Sequence, residues 1–405
     1  MVDQNPGNTL PPLPSRLQLS PEFRLLLAST WIAPAGYVQH QADQIEATCR
    51  GDINWDLFLS LVARHRVLVP HDVLRRQLGS RLPDRVYEHL KARRIKACRA
   101  SLGHSVEMVR CIKAFDAQGV DVLALKGIML SMQLYGDQTM RITRDLDLLV
   151  RPECLEAGDR ILQEQGYKRT FPDFKLTPRR QKWVLQNGHH YCYYRADRQQ
   201  LIELHWRLAQ WRTEHVAELW NHCRRASWLG ASFLNMNDDP LLLFLCDHGA
   251  KHRWTRIKWL NDVASLIAQD RSFSWSNARA MADRYDLSLA LAQAGLLVNW
   301  LYKIPLPAPL AELAARENRA VPLAAKAVDA MLLSEDGQFT RIENVKGVVY
   351  STRIRKKRLR GASLRSCMLS TDEFKEFPLP DRLFWLYFPL RPLLWFYHHY
   401  IKSGA

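Results

Sequence analysis

At 405 residues, with 47% hydrophobic and 24% charged side chains, the chain has the size of two or three compact units and the composition of a globular protein with a buried core. Its eight cysteines are scattered, with no CxxC pair, which argues against a dense extracellular disulfide framework and for a reducing cytosol. A formal net charge of +16 suits a polyanionic partner: nucleotide phosphates, nucleic acid or an anionic membrane surface.

Along the chain, residues 1–18 read as a flexible tail, polar and proline-rich, without the apolar core of a signal peptide. Residues 19–115 form an N-terminal helical region. In 55–62 and again in 82–115, apolar side chains recur at three- and four-residue spacing, with Lys91, Arg93, Arg94 and Lys96 on the solvated side. The period then changes. Residues 120–125, preceded by Gly119, and 145–150 read as buried strands, with a helix expected over 157–165 before Gly166. Strands at 191–195 and 201–206 flank the turn Ala196-Asp197-Arg198-Gln199 and should pair as a hairpin. Residues 116–235 are thus expected to fold as a small mixed sheet backed by helices, in an α/β (α+β) arrangement. A second helical domain follows over 236–335. Residues 336–405 form a separate segment, basic and then aromatic.

The chemistry concentrates at Leu125-Lys126-Gly127 and, further on, Asp145-Leu146-Asp147-Leu148-Leu149-Val150. Residues i and i+2 of a strand share a face, so Asp145 and Asp147 project together while Leu146 and Leu148 enter the core. Paired carboxylates repel one another unless a cation neutralises them, and hard oxygen ligands suit Mg²⁺ or Mn²⁺ held jointly with substrate phosphates. Glu203 alternates with Ile202 and Leu204 on a strand expected nearby and is the candidate third carboxylate, with Glu214 as the fallback. Gly127 permits close backbone approach to phosphate oxygens at a helix start, and Lys126, Arg141 and Arg144 are the candidates for neutralising phosphate charge. If 241–267 is mostly one helix, His248, Lys251, His252, Trp259 and Asp262 share a broad face suited to a nucleobase and phosphates. Zinc at Cys246, His248 and His252 is disfavoured because a fourth ligand is missing.

These motifs resemble a family. Leu-Lys-Gly, a loop arginine, Asp-Leu-Asp-Leu-Leu-Val-Arg-Pro-Glu and the later Glu-Leu-His-Trp look like the bacterial uncharacterised nucleotidyltransferases of the DNA-polymerase-β-like superfamily. Stretches 53–67 and 248–263 resemble that family's flanking helical regions, so the likeness covers roughly 50–270. The resemblance implies a polymerase-β-like nucleotidyltransferase core, an NTP substrate, Asp145 and Asp147 as metal ligands, Glu203 as the third acid and Gly127 in the phosphate-binding turn. The superfamily's usual Gly-Ser is here Lys126-Gly127, and the gap to the first aspartate is longer than in polymerase-like members.

The expected activity is transfer of a nucleoside monophosphate from an NTP to a sugar, small molecule, protein or RNA, releasing pyrophosphate. The rivals are a nucleotide- or RNA-binding protein without turnover, and a membrane-surface accessory protein of glycan or peptide biosynthesis. No apolar run reaches transmembrane length. The basic run 353–360 and the aromatic stretch 383–397 instead allow peripheral membrane contact through 351–401 of a cytoplasmic protein, with packing on the helical domain as the favoured alternative.

Overall fold

The computed structural model describes residues 10–208, 211–269, 273–332, 350, 354 and 371–396. The basic run 353–360 lies outside them apart from Ile354.

The N-terminal region comprises α1 (Pro21–Thr30), α2 (Val38–Thr48), α3 (Trp55–His65), α4 (His71–Leu78) and α5 (Asp84–Asp116). Ser20 and Asn54 cap α1 and α3 by accepting from the amides of Phe23 and Leu57, which satisfies donors that helix starts leave orphaned. At 33 residues, α5 is about 50 Å long. Leu90 near its start and Phe115 near its end belong to different hydrophobic cores.

The sheet follows: β1 (Leu123–Ala124), α6 (Gly127–Tyr135), β2 (Leu146–Leu149), α7 (Leu155–Glu164), β3 (Lys168–Phe171), α8 (Pro178–Asn187), β4 (His190–Arg195), β5 (Gln200–His205), α9 (Thr213–Leu219), β6 (Cys223–Trp228) and β7 (Ala231–Met236). These strands form one mixed, 7-stranded sheet in the order β3-β4-β5-β2-β1-β7-β6, so the α/β class expected from the sequence is the one observed. The β4–β5 hairpin pairs antiparallel as expected, and β5 runs parallel to β2. The hairpin of β6 and β7 and the edge strand β3 had no clear sequence signal. Strands β3 and β6, at the two edges of the sheet, are largely exposed, so neither carries the apolar alternation of a half-buried strand.

Period-2 alternation sorts the strands into two cores. Leu146, Leu148, Ile202, Leu204 and Phe233 pack on one face with the end of α5, α6 and α7. Leu123, Leu125 and Leu149 point the other way, into a helical core. That core is built with α10 (Asp238–Lys251), α11 (Ile257–Ala268), α12 (Trp275–Arg284), α13 (Ser288–Tyr302), α14 (Ala308–Arg316) and α15 (Ala320–Leu332). Asp147 shares the parity of Leu149, so it faces the helical side of the sheet.

Two expectations are corrected here. Residues 241–267 are not one helix: α10 ends, Arg253 and Trp254 adopt left-handed backbone, and α11 begins. Trp254 folds back with its indole fully buried. A Cβ at Gly249 would lie 2.3 Å from that ring, so only glycine leaves room for the reversal. The C-terminal aromatic segment also packs elsewhere than expected. Helices α16 (Thr371–Glu376) and α17 (Tyr387–Phe396), joined through the 3₁₀ turn Asp381–Leu386, lie on the α/β core and not on the helical domain. Phe384 meets Trp183, Asp381 accepts from Thr177, and Arg180 donates to the carbonyl of Leu379. Among the described residues no helix is long and apolar enough to span a bilayer.

Candidate active site

Parallel pairing of β2 with β5 sets Asp147 directly across from Glu203, and Leu149 across from His205. Antiparallel pairing of β4 with β5 then sets Cys192 across from Glu203 and His190 across from His205. Asp145 stands at the bend just before β2. The polar residues of three adjacent strands therefore project from one sheet face, because the apolar ones that alternate with them occupy the core on the other.

Around Asp147 the contacts are close. Its carboxylate is 1% exposed, and Oδ1 lies 2.8 Å from Nζ of Lys126 and 3.2 Å from Nε2 of His205. The same imidazole nitrogen is 3.3 Å from Oε2 of Glu203, so His205 bridges two acids. Burial opposes ionisation of Asp147, yet Lys126 and His205 hold its carboxyl well below the usual range. Burial likewise opposes the charge on His205, yet both carboxylates hold the imidazole above its ordinary value. Asp145 goes the other way: burial and the neighbouring Asp147 raise its carboxyl. A raised acid beside a depressed one marks an anion cluster short of positive charge.

Lys126 precedes Gly127, which opens α6 with φ +69°. A Cβ there would come within 3.0 Å of the Thr143 side chain, so the loop before β2 presses onto the start of α6 only because that residue is glycine. The Thr143 hydroxyl is buried without a hydrogen-bond partner among the described residues and lines the cavity.

The cavity itself holds about 400 Å³ between the sheet and the helical domain. Lys126, Gly127, Asp145, Asp147 and Glu203 line its sheet side. His248, Lys251 and His252 of the α10 end line the opposite side, with Trp259 of α11. The helix break brings these together: the His252 ring stacks on Trp259 at 4.8 Å, and His248 meets both edge-on. Burial lowers His252 to about 3 and depresses Lys251; in His248 burial and the Lys126 ammonium depress the imidazole strongly. A buried wall that carries Lys251 beside two histidines depressed by burial, with lysine charge adding to the shift, favours an anionic occupant.

The two loop arginines are placed differently. Arg141 lines the cavity, but its guanidinium makes a two-pronged pair with buried Asp262, at 2.8 Å from each carboxylate oxygen, and also donates to the Gly127 carbonyl. It holds the loop to α11. Asp262, expected on the ligand face, is taken up by this pair and by the Tyr135 hydroxyl. Arg144 is exposed and does not line the cavity. Glu214 pairs with Arg212 on α9 and does not line it either.

Sequence reasoning missed Arg66, Arg256 and Lys258, all of which line the cavity. Arg66 ends α3 in a left-handed conformation, φ 53°, a backbone state that is costly for a side-chain-bearing residue and is kept where surroundings demand it. Burial and the charges of Arg256 and Arg144 push its guanidinium down to about 10. Burial, with Arg141, pushes the Lys258 amine down to about 7. No local pattern marks these three, since Arg66 at the end of α3 meets Arg256 and Lys258 at the start of α11 only through the fold. His190 and Cys192 were also missed, although the alternation that identified the aspartates was legible there too.

No curated protein and no solved structure matches the chain. Residues 51–303 match the family described as "Uncharacterised nucleotidyltransferase", a stretch spanning both walls of the cavity and more than half the sequence. The chain belongs to the uncharacterised nucleotidyltransferase family.

Proposed function

We propose that the chain is a metal-dependent nucleotidyltransferase that moves a nucleoside monophosphate from an NTP to an acceptor hydroxyl or phosphate, releasing pyrophosphate. The observation that carries this reading is the opposition of acids and cations across one cavity: Asp145, Asp147 and Glu203 on the sheet, and Lys251, Arg256 and Lys258 on the helical side. Hard carboxylate oxygens with a raised carboxyl among them fit Mg²⁺ or Mn²⁺, which Asp145 and Asp147 would hold, with Glu203 completing the set. When bound, such an ion neutralises charge on the phosphates and the departing oxygen.

The chain's own residues do the rest. Lys126 and the amide end of α6 stand beside the acids, where a phosphate oxygen would meet them. Arg66, Arg256, Lys258 and the Thr143 hydroxyl supply donors for the remaining phosphate oxygens. Lys251, His248 and His252, with the Trp259 ring, offer a partly apolar wall for the base. In the transfer, an acceptor oxygen bonds to the α-phosphorus and the bond to the bridging oxygen breaks. Glu203 takes the acceptor's proton, with His205 poised between it and Asp147.

Incubation of the protein with each α-labelled NTP, Mg²⁺ or Mn²⁺ and a cell lysate tests this. Label entering a protein, RNA, sugar or small molecule supports transfer and names the acceptor class. Nucleotide binding with no label transferred under any condition would favour a binding protein.

A further inference from the structure

Beside the acid cluster lies a donor set of different chemistry. His190 and Cys192 sit two residues apart on β4, and Glu203 faces Cys192 across the β4–β5 ladder. Their ligand atoms, one imidazole nitrogen, one sulfur and one carboxylate oxygen, all lie within 4.8 Å of one another. Tetrahedral zinc, with bonds of about 2.0–2.3 Å, spaces its ligands at roughly 3.3–3.7 Å, so small side-chain rotations would close the set. None of the three is exposed.

A second observation points the same way. Nδ1 of His190 is buried and has no hydrogen-bond partner among the described residues. An orphaned ring nitrogen is costly in a folded protein unless something coordinates or bonds it. His189 and His205 pack against the same ring, at 4.3 and 5.1 Å, so the surroundings are rich in imidazole. Mg²⁺ prefers oxygen ligands alone, whereas nitrogen with sulfur selects borderline ions.

From this geometry we infer that His190, Cys192 and Glu203 form a site for a borderline divalent cation of the zinc class, next to the position that Asp145 and Asp147 would give a hard cation and sharing Glu203 with it. Three protein ligands leave a fourth position open towards the cavity that His190 and Glu203 line, the pattern of an accessible site and not of a closed structural one. An ion bound there engages the Glu203 carboxylate. Zinc at this site therefore withdraws the group that accepts the acceptor's proton and inhibits transfer. That last consequence rests on the nucleotidyl-transfer reading; ion binding itself does not.

The test is titration of the chelator-treated, full-length protein with Co²⁺ alone, followed by optical spectroscopy. The expected result is one bound ion with a thiolate-to-cobalt charge-transfer band in the near ultraviolet, displaced by Zn²⁺. Cys192→Ser should abolish the band. His190→Gln should weaken Co²⁺ by at least the roughly 10–100-fold that even an outer-shell loss costs. Asp145→Asn should keep the band. Absence of the band in the parent protein, or its survival in Cys192→Ser, overturns the site. If the band appears but no NTP is turned over, the ion site stands and the transfer reading falls. Transfer without the band removes the ion site and leaves the transfer reading standing. Where transfer is observed, Zn²⁺ should slow it in the parent protein and much less in His190→Gln.

Discussion

The ammonium of Lys126 lies 2.8 Å from Oδ1 of Asp147, whose side chain is 1% exposed, while Asp145 two residues away has no such ion pair among the described residues. The two aspartates therefore differ in what they do for the fold. Ionised Asp147 stabilises a half-buried ammonium and a buried imidazole. Asp145 is a carboxylate held against burial and against its neighbour's charge. Asp145→Asn is expected to leave the melting temperature level or raised. Asp147→Asn strands Lys126 and should cost on the order of 3 kcal/mol. Both should abolish Mg²⁺-dependent NTP binding, measured by calorimetry. Retention of that binding in the double Asn variant would falsify the metal assignment.

Glu203→Gln should separate binding from chemistry. The residue is half-buried and keeps its place opposite Asp147 through backbone pairing, so the fold tolerates the change. Nucleotide affinity should hold while labelled-NMP transfer falls by roughly 10²-fold or more, the scale for losing a positioned acid–base group. Unchanged turnover would remove Glu203 from the reaction.

Lys258 should titrate with the ligand. Burial, then Arg141, lowers its amine to about 7, against about 10.4 for a free lysine. Below pH 7 both folded and unfolded chains hold the proton and the burial cost is full. Stability from this group rises as pH climbs from about 7 towards 10. A bound polyphosphate favours the charged amine, so NTP binding near about pH 8 should take up a proton. Calorimetry in buffers of different ionisation heat reads that uptake, and Lys258→Met should remove most of it.

The pair of Arg141 and Asp262 ties the loop before β2 to α11, with the two side chains 10% and 1% exposed. Asp262→Ala leaves a buried guanidinium alone and should cost about 3–5 kcal/mol. The double variant Arg141→Met with Asp262→Leu should recover much of that loss in thermal melts. Recovery of stability without recovery of NTP affinity is expected, because the loop carries Thr143 and Asp145.

Removal of residues after 370 should destabilise the α/β core. Phe374, Phe384 and Tyr387 are buried in it, and Arg180 donates to Leu379 and Tyr387. Phe384→Ala alone should cost about 3–5 kcal/mol. A truncation that melts at the parent temperature and does not aggregate would show this packing to be dispensable.

What the sequence determined by itself was local. Period 2 in 145–150 and 201–206 set which side chains share a face, since alternation follows from strand geometry whatever the neighbours are. It placed Asp147 and Glu203 on strands and the hairpin between Arg195 and Gln200, whereas Asp145, expected on the same strand, stands at the bend just before it. It expected the Glu203 strand near the acidic one, as observed, but not the parallel register or the full strand order, because these depend on how distant apolar faces pack. Nor could it show that Arg141, though it lines the cavity, is held by buried Asp262, or that Arg66 reaches the same cavity from the end of α3. The break between α10 and α11 turns on Gly249 yielding room to Trp254, a contact visible only once both are placed. The tail, read as aromatic and basic, had two surfaces to cover, membrane or helical domain. Tertiary structure chose a third, the α/β core, because Trp183 and its neighbours there leave an apolar face that Phe384 and Phe388 fill.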